Sequence, residues 1–175
     1  LTHKGVREYV ESARVVAGDR GAQFLLVGPA DPGNPASIPQ ETLVEWGKKG
    51  YIRYLGERSD IRELMAMADV VVLPSYREGF PRVLLEAAAM GKPMVTTDTP
   101  GCRDVVDDGK NGLLVPVGDA GALASAVVKL LASPELRAQM GEAARGKALD
   151  EFDERRVTRD IIAIHDELLA EMPIA

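Results

Sequence analysis

One cysteine, two histidines and no excess of positive charge set the first limits on this 175-residue chain. With Cys102 alone, neither an intrachain disulfide nor a cysteine-based zinc cluster can form, and a reducing, cytoplasmic setting is expected. His3 and His165 stand at opposite ends, and no Asp-x-Asp pair or histidine cluster has metal-ligand spacing, so no metal is expected. A formal net charge of −6 argues against a nucleic-acid partner, whose binders usually carry a basic face. No run approaches the roughly 18 consecutive apolar residues of a membrane-spanning helix, and Leu1-Thr2-His3-Lys4 lacks the apolar core of a signal peptide. Membrane association, if any, is expected to be peripheral, at the inner face of the cytoplasmic membrane.

What is present suffices for one domain: 46% of the residues are hydrophobic, and the length supports a single core over residues 1–175. Val6, Tyr9, Val10, Ala13, Val16 and Ala17 have helical spacing that ends at Gly18. The run 23–28 reads as a strand buried on both faces, and the proline-rich segment 29–39 as a loop. Helix 40–49, strand 51–55, helix 61–68, strand 70–73, helix 81–90 and strand 94–97 follow. Strand 112–115 comes next, then a helix capped by Asp119, one after Ser133-Pro134, and a last helix behind Asp153 with Val157, Ile161, Ile164 and Leu168 on one face. This alternation predicts an α/β fold, a Rossmann-like doubly wound parallel sheet with helices on both faces. A domain of this kind normally opens on a strand, so a strand upstream of Leu1, and a longer parent protein, are expected.

Ligands of such sheets sit beyond the carboxyl ends of the strands, which directs attention to the loop after Leu73. There Gly79 permits close backbone approach, and the helix starting near Pro81 offers unpaired N–H groups and the positive end of its dipole to a phosphate. The plainer alternative is a turn at Glu78-Gly79 with Phe80 as a core anchor. Glu86 is the only charge between Val83 and Met90, in a helix that reads as apolar nearly all round. A buried carboxylate there needs hydrogen-bond donors, either the paired hydroxyls of a ribose or an arginine from another helix.

The stretch from Glu78 through Gly79-Phe80-Pro81-Arg82-Val83-Leu84-Leu85 to Glu86 resembles the E-x7-E signature of retaining GT-B glycosyltransferases of family 4, with Gly91-Lys92-Pro93 as the familiar ending. Lys4-Gly5-Val6, the run 24–28, Tyr54-Leu55-Gly56, Ala68-Asp69-Val70 and the run 111–116 follow the same family's order, so the resemblance covers essentially the whole chain. It implies the C-terminal, donor-binding half of a GT-B fold. Glu78, the catalytic-site glutamate, would contact the sugar's hydroxyls, and Glu86 the ribose. Gly79, Phe80 and Pro81 would line sugar and diphosphate, with Arg82 and Val83 in the donor-binding set, and Lys4 would neutralise the diphosphate. Without the resemblance, Lys4 is a solvated lysine at a helix start and Arg82 an equally plausible solvent-facing one. The loop at Arg58, Ser59 and Asp60 would carry the base; otherwise it is a polar turn with Ser59 as helix cap. His3 falls in a frayed start, His165 in the last helix, and Cys102 reads as a packed loop thiol.

The implied function is transfer of a hexose or acetamidohexose from a UDP- or GDP-sugar, UDP favoured, to a glycan or lipid-linked acceptor. Retention of configuration, no metal cofactor, a further upstream arginine and an acceptor-binding amino-terminal domain are implied with it. A non-catalytic nucleotide-sugar module and an epimerase-like GT-B protein are the alternatives.

Overall fold

The computed structural model describes residues 1–171. Five short strands, β1 (Leu25–Val27), β2 (Arg53–Gly56), β3 (Val71–Leu73), β4 (Met94–Thr97) and β5 (Gly112–Val115), pair only in parallel. Eight helices alternate with and follow them: α1 (Val6–Arg20), α2 (Gln40–Lys48), α3 (Ile61–Met67), α4 (Arg82–Ala89), α5 (Pro100–Val105), α6 (Ala120–Ala132), α7 (Pro134–Glu151) and α8 (Glu154–Glu171). A 3-10 turn, Thr2–Lys4, precedes α1. The strands form two hydrogen-bonded ladders, β1–β2 and β3–β4–β5.

Side-chain alternation along β4 assigns the two faces. Val95, in register with Val72 and Leu113, packs with Val10, Ala13 and Val16 of α1 and Leu123, Val127 and Leu130 of α6. Met94, one residue earlier, packs on the other side with Leu84, Ala87 and Ala88 of α4, Cys102 and Val105 of α5, and Ala144 of α7. Helices therefore cover both faces, as the continuous apolar strands require. Three cations close helix carboxyl ends: Lys92 Nζ donates to the carbonyls of Ala66 (2.6 Å) and Ala68 (2.9 Å), Arg137 to those of Leu130 and Leu131, and Arg145 to that of Ala89. Lys92 in Gly91-Lys92-Pro93 thus has a structural use, fastening the end of α3.

Several local expectations are corrected. α1 continues past Gly18 to Arg20 and ends at Gly21, whose φ of 62° supplies the left-handed cap. β1 is half-buried along its length, unlike β4, because β4 has a partner on each side and β1 only on one. Residues 100–105 are helical and not loop: Pro100 occupies the first turn, where its missing N–H costs nothing, and Cys102 is a buried helical thiol. Asp119 accepts from the Ala122 N–H and Asp153 from the Arg155 N–H as expected. The apolar face of α8 does not join the core: Val157, Ile161, Ile164 and Leu168 are 42–61% exposed. No helix among the described residues is long and apolar enough to cross a membrane.

If Lys92 acts through α3, Lys92→Met removes two charge-assisted bonds to carbonyls that water can partly replace. Denaturant unfolding should show a loss of about 1 kcal/mol, with nucleotide affinity unchanged.

Candidate functional site

The loop that follows β3, Pro74 to Pro81, is anchored from beneath by the next strand. Thr96 Oγ1 donates to the Leu73 carbonyl (2.7 Å) and Thr97 Oγ1 to that of Ser75, while the Cys102 thiol lies 3.1 Å from Thr96 Oγ1. α5 presses against the loop so closely that a Cβ on Gly101 would come 2.3 Å from the Gly79 carbonyl oxygen. Ser75 and Thr99 are buried, and their hydroxyls find no hydrogen-bond partner among the described residues.

From the other side the loop meets the start of α1. Gly5 has φ 67°, and a Cβ there would lie 1.9 Å from the Pro74 carbonyl oxygen, so only glycine satisfies both the turn and the contact. The Tyr76 N–H donates to the His3 carbonyl at 2.8 Å, which gives the opening turn a tertiary partner where a frayed start is expected. The Thr2 N–H donates to the Ala36 carbonyl at 2.7 Å, tying in the proline-rich loop after β1. The same turn brings Lys4 Nζ to 2.6 Å from Glu78 Oε1, across 74 positions of sequence. Lys4 is therefore ion-paired, and not the solvated lysine of the plainer reading. The Glu78 side chain is 9% exposed and that of Lys4 40%, so the carboxylate is the buried partner and the ammonium reaches solvent. A nearly buried carboxylate without such a partner is costly, which accounts for the pairing.

α4 starts at Arg82 with buried Pro81 as N-cap, one residue ahead of its expected place in the first turn. No side chain caps this end. The first N–H groups and the positive end of the helix dipole are available to an anion. Leu84, Ala87 and Ala88 form the buried stripe, whereas Arg82, Glu86 and Ala89 are exposed. Glu86 is thus not a buried carboxylate. The inference from an all-apolar helix fails because Ala89 needs no burial, which leaves an exposed stripe that Glu86 shares. Among the described residues neither Arg82 nor Glu86 has an ion-pair partner. Phe80 is also no core anchor: it is 54% exposed and meets Phe152 edge-to-face, with ring centroids 5.7 Å apart. Val83 is half-buried against the α4–α5 cluster.

At the carboxyl end of β2, Arg58 grips Asp60 through Nε (2.7 Å) and a terminal nitrogen (2.5 Å). The hydrogen bond from Arg58 holds the Asp60 carboxyl below the usual carboxylate range, and the same bond raises Arg58. Asp60, not Ser59, is the N-cap residue of α3, and its side chain makes no capping bond because Arg58 occupies it. No hydrogen bond among the described residues joins this loop to Lys4, Glu78 or Glu86. A depression of about 550 Å³ bordered by Phe24, Val44, Tyr51 and Arg53 lies at the opposite, amino ends of β1 and β2. Sequence reasoning named Gly5 only within the run Lys4-Gly5-Val6, without its contact to Pro74, and gave Glu8, Thr97 and Gly101 no part in the site. Only Gly5 had a local signal, its place before an apolar helix.

The strands and helices define a parallel α/β domain of the GT-B glycosyltransferase kind, with the Lys4–Glu78 pair and the uncapped start of α4 following β3. The chain belongs to the glycosyl transferases group 1, whose family profile matches residues 1–133. It is 37% identical over 169 residues to the N,N'-diacetylbacillosaminyl-diphospho-undecaprenol alpha-1,3-N-acetylgalactosaminyltransferase of Campylobacter jejuni, a match covering 97% of this chain and 43% of that protein. Anabaena HepE in complex with UDP is similar in structure, with a TM-score of 0.86 at 26% identity over 95% of this chain and 46% of HepE. The C-terminal domain of LpcC, a glycosyl transferase group 1 family protein from Francisella tularensis, shares the fold at TM-score 0.77 and 22% identity, covering 88% of this chain and 82% of that domain. The chain spans under half the length of the curated relatives it matches.

Lys4→Met should destabilise the protein by about 1–3 kcal/mol, because Glu78 is left without its cation, and Glu78→Gln in the same chain should recover most of that loss. A denaturant double-mutant cycle measures the coupling; strictly additive effects would show that the pair contributes nothing.

Proposed function

We propose that this domain holds the nucleotide sugar for a glycosyltransferase that moves a hexose or acetamidohexose to a glycan or lipid-linked acceptor with retention of configuration. The observation that carries the reading is the Lys4–Glu78 pair set beside the uncapped start of α4. One cation, a set of free amides and one orientable carboxylate meet there, matching a diphosphate joined to a sugar. Lys4 and the N–H groups of Gly79, Phe80, Arg82 and Val83 would take the diphosphate, Phe80 and Pro81 would border the sugar, and Arg82 would add charge from its exposed position. Glu78 would accept from the sugar's hydroxyls. Exposed Glu86 remains available to both hydroxyls of a ribose, and the Arg58–Ser59–Asp60 loop to the base.

Positive charge and amide dipoles at the diphosphate would stabilise the departing nucleotide, the electrostatic work that such a transition state requires without a metal. UDP is favoured as the nucleotide, since HepE is described in complex with UDP and with UDP-glucose. The Campylobacter relative, by its name, acts on a lipid-linked diphosphate, which supports an acceptor of that kind and work at a membrane surface. The break between β1 and β3 supports a strand preceding α1: in the doubly wound order 3-2-1-4-5-6, the first strand lies between the second and fourth, the places that β1 and β3 would hold. An acceptor-binding domain would come before it.

Calorimetry on the intact protein tests the assignment. Glu86→Gln should weaken free UDP by about 1.5–3 kcal/mol through lost charge-assisted hydrogen bonds to ribose. Glu78→Ala should leave UDP affinity in place and remove the added affinity of UDP-hexoses. Equal loss of both ligands in the Glu78 variant, or an unchanged UDP constant in the Glu86 variant, would overturn the respective role.

A further inference from the structure

We propose that Tyr76 and Glu8 are positioning residues that hold the Glu78 segment in place for the sugar, and so govern how strongly the sugar nucleotide is preferred over the bare nucleotide. The inference rests on the donor-binding reading above and adds residues that the resemblance does not assign.

Beyond Ser75 the loop has few attachments before α4 begins. Among the described residues these are the Tyr76 N–H to the His3 carbonyl, the Tyr76 hydroxyl to Glu8 Oε1 at 2.7 Å, the Lys4–Glu78 pair, the close approach of Gly101, and the edge-to-face contact of Phe80 with Phe152. Glu8 lies in the first turn of α1, and Lys4 ends the 3-10 turn on the other side of Gly5. Two loop side chains, Glu78 and Tyr76, are thus tied to side chains on either side of Gly5, Lys4 in the 3-10 turn and Glu8 in α1. Gly118, in the turn between β5 and α6, lies beneath the Tyr76 ring: a Cβ there would come 3.4 Å from the hydroxyl oxygen. The hydrogen bond to Glu8 pushes the Tyr76 phenol above its ordinary pKa, which keeps it a donor across the physiological range.

The functional weight of this second tie follows from what the first must do. When Lys4 turns to a diphosphate, its bond to Glu78 is weakened or released, and Tyr76–Glu8 remains as the side-chain tie on the segment carrying Glu78. A carboxylate that is to accept from particular sugar hydroxyls gains from a fixed backbone, because each hydrogen bond weakens steeply with misalignment. Bare UDP lacks the hexose that Glu78 would read, and of the N–H groups that would meet its diphosphate, those of Arg82 and Val83 lie in α4, beyond the clasp.

The test compares Tyr76→Phe, Glu8→Ala and Glu8→Gln in the intact protein, with calorimetric binding of UDP, UDP-glucose and UDP-N-acetylgalactosamine, and amide hydrogen exchange over residues 76–80. Tyr76→Phe and Glu8→Ala should each weaken the sugar nucleotide that wild type binds best by about fivefold, with UDP changed by less than about twofold. Glu8→Gln keeps an acceptor oxygen and should behave as wild type. Exchange over 76–80 should quicken in Tyr76→Phe without ligand. Equal weakening of UDP and sugar nucleotide, no change in either, or unaltered exchange overturns the proposal. A wild-type protein that binds none of the three ligands overturns the donor-binding reading together with the sugar discrimination built on it, and the exchange result then judges the clasp alone.

Discussion

The close approach of Gly5 to the Pro74 carbonyl is the constraint on which the rest of the site depends. It lays the loop after β3 against the first turn of α1, at a distance no other residue type permits. Around that contact lie the other ties: His3 receives the Tyr76 amide, Lys4 reaches Glu78, and Glu8 receives the Tyr76 hydroxyl. Beneath, Thr96 and Thr97 fix the same loop to the sheet. The loop is therefore held from the sheet below and from the chain around Gly5.

The charges divide between two kinds of work. Lys92, Arg137 and Arg145 are turned to the carboxyl ends of helices and belong to stability. Lys4, Arg82 and Glu86 keep at least part of their surface in solvent. Under the proposed function an acidic chain would present a locally cationic site, because an anion there would meet one ammonium and a helix start and not the net charge.

Much of the fold was legible because period and punctuation agree: apolar runs end at Gly28 and Leu73, and Asp119, Ser133 and Asp153 stand where helices begin. The misreadings have physical causes. Pro100-Gly101 looks like a loop, yet a proline in the first turn starts a helix, and Gly101 is required by a neighbour invisible in sequence. Counting alanines as apolar made α4 seem buried all round and misplaced Glu86. The periodic face of α8 was real, but periodicity reveals a surface that wants cover and not what covers it. The pairing of Lys4 with Glu78 has no local signature; only the parallel topology, which brings the opening turn of α1 beside the end of β3, produces it.

The span of that pair has a temporal side. Lys4 and Glu78 are 74 positions apart, and a ribosome adding about 5–20 residues each second needs roughly 4–15 s to pass from one to the other. Throughout that interval Lys4 has nothing to close upon, and α1 itself still lacks α6, against which its apolar face packs. A chain interrupted before β3 would carry the ammonium without its carboxylate.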